Sequence, residues 1–178
     1  MEHTLDNTLP LLARTPAVLD ALLRDLPEAW TLPNEGGNTW NTLDVVGHLI
    51  HAERENWLPR LKIILRSGET QTFETFDRQG HTQERQNPLP VLLDEFARVR
   101  SENLDQLRAL NLGQRELELR GTHPVLGVVS LSQLLATWTA HDLTHLHQLS
   151  RILAHRYREA VGPWNRFLGV LQCAGHSA

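Results

Sequence analysis

The chain has one cysteine, Cys173, and one lysine, Lys62, and it has no apolar run of the roughly 20 residues needed to cross a bilayer. A single cysteine excludes a disulfide framework within the chain. Cys173 also sits among small residues with no acid–base pattern beside it, which argues against a nucleophilic role. With lysine nearly absent, the basic charge is arginine, scattered along the chain and interleaved with acids. That pattern and the net charge of −4 speak against a nucleic-acid partner, since phosphate binding needs clustered positive charge. The opening residues, MEHTLDNTLPLLARTP, lack a basic stretch followed by an apolar core, so no secretory signal is read there. These absences point to a cytoplasmic protein with no membrane partner. Residues 1–178 read as one domain, long enough to bury about 70% of the unfolded surface.

What the chain does have is helical periodicity. A first helix is expected over about residues 8–26, with Leu19, Leu22, Leu23 and Leu26 as its stripe. Thr15-Pro16 inside it has the form of a fresh cap followed by proline. A second helix starts at Asn41 or Thr42 and runs to about Arg66, with Pro59 expected to kink or break it and Ser67-Gly68 to stop it. Residues 67–87 form a long polar connection pinned by Phe73 and Phe76. Connections of that length tend to carry function or to join distant helix ends. A third helix covers about residues 90–110. Residues 116–129 alternate and carry a turn at Gly121, so a short hairpin fits there. Ser130 with Gln133 is a capping box for a fourth helix, and a last short helix follows Gly162-Pro163. The fold class is all-α, a four-helix bundle with long connections.

The fourth helix carries the chemistry. His141 and His145 are four residues apart in an apolar stretch, so their imidazoles stack on one helix face. Two histidines so placed can bind one metal ion. Buried without a metal or polar cavity, they would lack hydrogen-bond partners. An open catalytic site usually takes three protein ligands. The third is expected from the second helix, where His48 and His51 lie one turn apart and spacing alone leaves both open. His147 is about 200° round the helix from His145 and reads as surface or as a dimer contact. His3, His81, His123, His155 and His176 fall in loops, termini or a helix end, with His81 and His123 able to border a cleft but read as solvated. Asp44 reads either as a carboxylate at its helix N-terminus or as an acceptor orienting a ligand imidazole. Glu53 and Glu55 read as surface ion-pair partners. No compelling protein base stands out; Asp44 and Glu55 are the candidates. Trp138 packs as core or cavity wall, Asp142 points away from the paired histidines, and Gln148 is structural or within reach of bound water.

Two segments, WNTLDVVGHLIHAERENW around His48 and WTAHDLTHLHQLSRIL around His141 and His145, resemble the DinB/YfiT-like superfamily of helical bundle proteins. FETFDRQG stands between them, where such proteins often carry a Phe-Asp segment, and the likeness spans about residues 8–157. The resemblance implies a bundle with up-down-down-up helix order and frequent homodimers. It also implies a divalent metal, commonly zinc or nickel, on His48, His141 and His145, which selects His48 over His51. Members are described as metal-dependent hydrolases or as thiol S-transferases using bacillithiol, mycothiol or glutathione. The reading is therefore a metal-dependent enzyme acting on a small molecule by hydrolysis or thiol transfer, with a low-molecular-weight thiol as a second cofactor in the latter case. Lack of a protein base favours chemistry in which the group held by the metal is itself the nucleophile. The competing class is a non-catalytic, stress-related bundle that binds a metal or a ligand.

Overall fold

The structure, a computed structural model, describes residues 4–82 and 84–173, so His3 and His176 lie outside the described residues. The first helix, α1, covers Leu5–Leu23 and starts at Thr4, whose hydroxyl accepts from the Asn7 N–H. It is continuous through Pro10 and Pro16, so Thr15 is no fresh cap. Pro16 has no N–H to give the Leu12 carbonyl. Arg100, reaching in from another helix, donates to that carbonyl at 2.8 Å instead. The bond that proline removes is replaced from outside the helix.

A short turn, α2 (Glu28–Thr31), leads to α3 (Thr42–Glu55), which begins with a capping box between Asn41 and Asp44. α4 (Trp57–Ser67) follows after a break at Asn56, whose φ and ψ are −108° and −64°. The break falls three residues before Pro59, which leaves proline in the first turn of a new helix, where a missing N–H is tolerated. The Asn103 amide covers the Glu53 carbonyl beside the break at 2.8 Å. α5 (Leu89–Ala109) and a short α6 (Gln114–Leu117) come next. The hairpin is present as β1 (Arg120–His123) and β2 (Gly127–Ser130), paired antiparallel from Arg120↔Ser130 to His123↔Gly127. Its turn is at residues 124–126 rather than at Gly121. Gly121 lies within β1, where an added Cβ would stand 2.8 Å from Ile64 and Phe73 side-chain atoms, so its role is close approach. The fourth long helix, α7 (Leu131–His155), opens on the capping box of Ser130 and Gln133. A 3₁₀ segment, Gly162–Phe167, and α8 (Gly169–Gln172) complete the described chain.

The architecture is a four-helix bundle with up-down-down-up order. α1 packs on α5 and α7, and α3 packs on the same two. The first two long helices are thus at opposite corners, and residues 24–41 must cross a bundle end to join them. The connection after α4 contains three 3₁₀ turns and is tied to the hairpin by a Thr72↔Thr122 bridge and a 2.9 Å bond from the Phe73 N–H to the Thr122 carbonyl. Among the described residues, no helix is long and apolar enough to cross a membrane.

The core is divided. One apolar cluster gathers Leu12, Trp57, Leu61, Leu104, Leu135 and Trp138; a second gathers Leu19, Trp40, Ile50, Phe96, Leu149 and Ile152. Each fully buried aliphatic or aromatic side chain contributes about 1.5–3 kcal/mol. Each of α1, α3, α5 and α7 also contributes a buried polar residue: Thr15, Glu53, Arg100 and Asp142. Arg100 chelates Asp142 at 2.6 and 2.9 Å and reaches Glu53 at 2.9 Å. Thr15 donates to Asp142 at 2.6 Å, and the Trp138 indole N–H and Asn103 amide donate to Glu53 at 2.8 and 2.9 Å. Burial penalises the Arg100 charge, but Glu53 and Asp142 outweigh that and raise its pKa. Glu53, expected on the surface, is instead central to this layer, as is Asp142.

Candidate metal centre

His48 comes from α3, where its neighbours Val45, Val46, Leu49 and Ile50 are all buried. His141 and His145 come from α7. The three imidazoles converge: His141 Nε2 is 3.1 Å from His48 Nε2 and 3.1 Å from His145 Nε2. Ligating nitrogens of the three residues lie within 4.8 Å of one another. Nitrogens bound to one zinc at about 2.0–2.1 Å in a tetrahedral site stand about 3.3 Å apart.

Hydrogen bonding alone accounts poorly for this cluster. His145 donates its Nδ1–H to Gln148 Oε1 at 2.8 Å. A neutral imidazole has one N–H, so His145 presents a bare lone pair at Nε2. A single ring hydrogen on His141 Nε2 would then have to serve both neighbours. His48 Nδ1 and His141 Nδ1 are buried without a hydrogen-bond partner. Burial lowers the pKa of all three: His48 to about 3, His141 well below its ordinary value, and His145 in the same direction against the pull of Gln148 and Asp142. Each imidazole is therefore neutral at physiological pH, the form that coordinates metals. The donor set fits a divalent cation, and Gln148 fixes one ligand's tautomer as residues behind metal ligands commonly do.

Aromatic rings pack around the three imidazoles. Trp40 lies 4.9 Å from His48 and stacks on His145 at 6.3 Å, and Trp57 meets His141 edge-on at 5.1 Å. Phe76, from the long connection, packs 5.7 Å from His48. The three histidines line one cleft of about 510 Å³ together with Trp57, Arg60, Phe76, Arg78 and the hairpin tip. The point on which the imidazoles converge therefore has space beside it.

Other residues singled out in the sequence are elsewhere. His51 Nε2 lies against Gly80, where a Cβ would stand 2.3 Å away, and it joins neither the cluster nor the cleft lining. Asp44 is occupied by its capping box, with Oδ2 accepting from the Asn41 N–H at 3.1 Å and Oδ1 facing Arg85 at 3.3 Å. It orients no ligand imidazole. Glu55 is exposed and outside the cleft lining. His147 is exposed. His81, expected to be solvated, is buried edge-on to Trp40 at 4.6 Å and has its Nδ1 3.0 Å from the Arg78 carbonyl. His123 is half-buried and lines the cleft. Trp138 is core, 5.8 Å from Trp57 and nearly parallel to it.

Sequence reasoning missed Trp40 and Arg60. Trp40 closes a turn-rich stretch with no periodicity to flag it. Its one signal was a large aromatic immediately before a helix cap, where a hydrophobic residue often folds back onto the helix. Arg60 was hidden because the break at Asn56 resets the helical phase.

A family model described as the DinB superfamily matches residues 11–149. The chain belongs to the DinB superfamily. No curated protein matches it. Among solved structures it is similar to YfiT from Bacillus subtilis, a probable metal-dependent hydrolase with an unusual four-helix bundle topology. The match has a TM-score of 0.73 at 17% identity and covers 85% of this chain and 86% of that one. At this identity the likeness establishes the shared bundle fold. For a DinB-superfamily chain, the three-histidine cluster and the cleft beside it are the candidate functional site.

Proposed function

We propose that this DinB-superfamily protein is a metal-dependent enzyme whose divalent ion, zinc or nickel, is held by His48, His141 and His145. The observation that carries the reading is the meeting of three neutral imidazoles, at 3.1 Å spacings through His141, on the wall of an open cleft. A bound ion there supplies Lewis acidity and favours the ionised form of a water or thiol near neutral pH.

The chain's own residues narrow the chemistry. Among the described residues no Asp or Glu lines the cleft, so no carboxylate there stands ready as a general base. Cys173 is exposed and absent from the lining, so the protein supplies no thiol nucleophile. Hydrolysis, with water as nucleophile, and transfer from a small-molecule thiol both meet these conditions. Trp40, Trp57 and Phe76 exclude water around the ligands and fix their rings.

Metal content of wild type and His145→Ala, measured by elemental analysis, tests the assignment. Wild type is expected to carry about one equivalent and the variant less than a tenth of that; full occupancy in the variant would overturn it. Turnover of ester and amide substrates, with and without added thiol, then separates hydrolysis from thiol transfer. Metal loss with an unchanged melting temperature supports catalysis, because a structural metal contributes folding free energy directly. A collapse of the fold on metal removal would favour the non-catalytic reading.

A further inference from the structure

Arg100 and Arg60 are both buried, with 1% and 8% of their surface exposed, but only Arg100 has carboxylate partners. Among the described residues Arg60 makes no ion pair. Its Nη2 donates to the Glu74 carbonyl at 3.2 Å and its guanidinium lies over the Phe73 ring at 5.4 Å. Burial lowers its pKa without a compensating acid, yet an arginine stays charged at any physiological pH. A buried, unpaired guanidinium carries a large desolvation penalty. Charges in that position are normally neutralised by a partner. None of the described residues neutralises it, and Arg60 lines the same cleft as the three histidines.

Among the described residues no carboxylate lines the cleft, in a chain whose net charge is −4. The positive charge of Arg60 is therefore left uncancelled at the cleft wall. His123, also on the wall, accepts the Val125 and Leu126 N–H groups at Nδ1, both at 3.1 Å. Its ring hydrogen is therefore on Nε2, a further donor. Asn56 Oδ1 is buried, without a hydrogen-bond partner, on the same lining; it is an acceptor left over for a ligand N–H or O–H. Trp57, Phe73, Phe76 and Leu134 supply apolar wall between these groups.

We propose that Arg60 anchors an oxyanion of the substrate, so that the enzyme's ligand is an anionic molecule with an apolar body lying in the cleft beside the histidine triad. The guanidinium fork suits a carboxylate or a phosphate-type group equally. This assignment rests on the metal-dependent reading for the word substrate, but the anion site itself stands on Arg60 and needs no ion. Arg60 is then a binding residue that sets specificity for charge, and the metal's histidines are left to the reacting group.

The test titrates the full-length protein, metal-free and zinc-loaded, with phenylacetate, 3-phenylpropionate and phenylphosphonate, each against its uncharged amide or diester. Binding is read from tryptophan fluorescence, because Trp40 and Trp57 line the cleft. The anions are expected to bind about tenfold or more tightly than their neutral counterparts, in the metal-free protein as well. Arg60→Gln should reduce that preference to about threefold or less, while zinc content stays at the wild-type level. Arg60→Lys, which keeps the charge but loses the fork, should fall between. The phosphonate and carboxylate arms identify which oxyanion the site prefers. Equal binding of acids and neutral analogues, no binding of any acid, or a preference that survives in Arg60→Gln would each overturn the proposal. Should Arg60→Gln lose zinc or fail to fold, Arg60→Lys carries the test, and an undiminished preference there overturns the fork. Failure of the metal assignment shows separately, as full zinc in His145→Ala.

Discussion

His141 and Asp142 are sequence neighbours on α7, yet they belong to buried polar clusters of opposite character. Asp142 faces a layer whose carboxylates are fully supplied, with three donor groups on its own and as many on Glu53, leaving only the Arg100 Nε without a partner. His141 faces a cluster with ring nitrogens left over, one bare lone pair and two buried Nδ1 atoms without partners. Buried polar groups are ordinarily satisfied. A layer of paired charges fixes helix positions and register; a cluster of unpaired ring nitrogens beside a cleft is shaped for something that arrives from outside. Arg100 and Arg60 repeat the contrast in a single residue type.

The largest expected effect breaks the satisfied side. Arg100→Met leaves Glu53 and Asp142 buried against each other without a cation and is expected to lose about 3–5 kcal/mol of stability, measured by urea denaturation of the metal-free protein. A loss under about 1 kcal/mol would erase the distinction between the two clusters. On the histidine side, Gln148→Leu is expected to weaken zinc binding about 10–100-fold, read by competition with a chelator, with little change in metal-free stability. Unchanged affinity would mean that the Nδ1 contact does not orient the ligand.

Acid sharpens the comparison further. The His48 pKa falls from 6.5 to about 3 in the folded chain, so between those values the unfolded chain binds a proton the folded one does not. Metal-free stability should therefore be fully present above pH 6.5 and decline progressively as pH falls toward 3. His141 and His145 shift in the same direction and add to the slope. Melting temperatures of the metal-free protein at pH 7 and pH 5 check this, and equal values would contradict it. The smallest effect belongs to Glu55→Gln. An exposed side chain outside the cleft should change stability by less than about 0.5 kcal/mol and leave zinc content and turnover unchanged. A measured loss of turnover would restore Glu55 as a catalytic candidate.

Much of this was legible in the sequence because the signals were local and periodic. The capping boxes at Asn41 and Ser130, the apolar stripes of the long helices and the His141/His145 spacing all follow from residues within one or two turns. His48 required the family resemblance, since spacing cannot choose between two histidines a turn apart. The polar layer was not legible. Thr15, Glu53, Arg100 and Asp142 come from four helices, and each alone resembles a surface residue or a cap until the others are placed beside it. His81 was misread for the same reason: its burial depends on Trp40, 41 positions earlier and far from any helical register. Pro16 misled because its usual consequence is cancelled by a donor from α5.

Part of the cleft's wall is built from material outside the four long helices. The hairpin tip carries Val125 and Leu126 at 80% and 72% exposure, and the Thr72↔Thr122 bridge couples it to the connection that brings Phe76 and Arg78. The three imidazoles and this part of the wall therefore reside in separable parts of the chain. Substitutions or insertions there can reshape the cleft without displacing a single imidazole, so chains sharing this scaffold are free to vary the space while keeping the cluster that faces it.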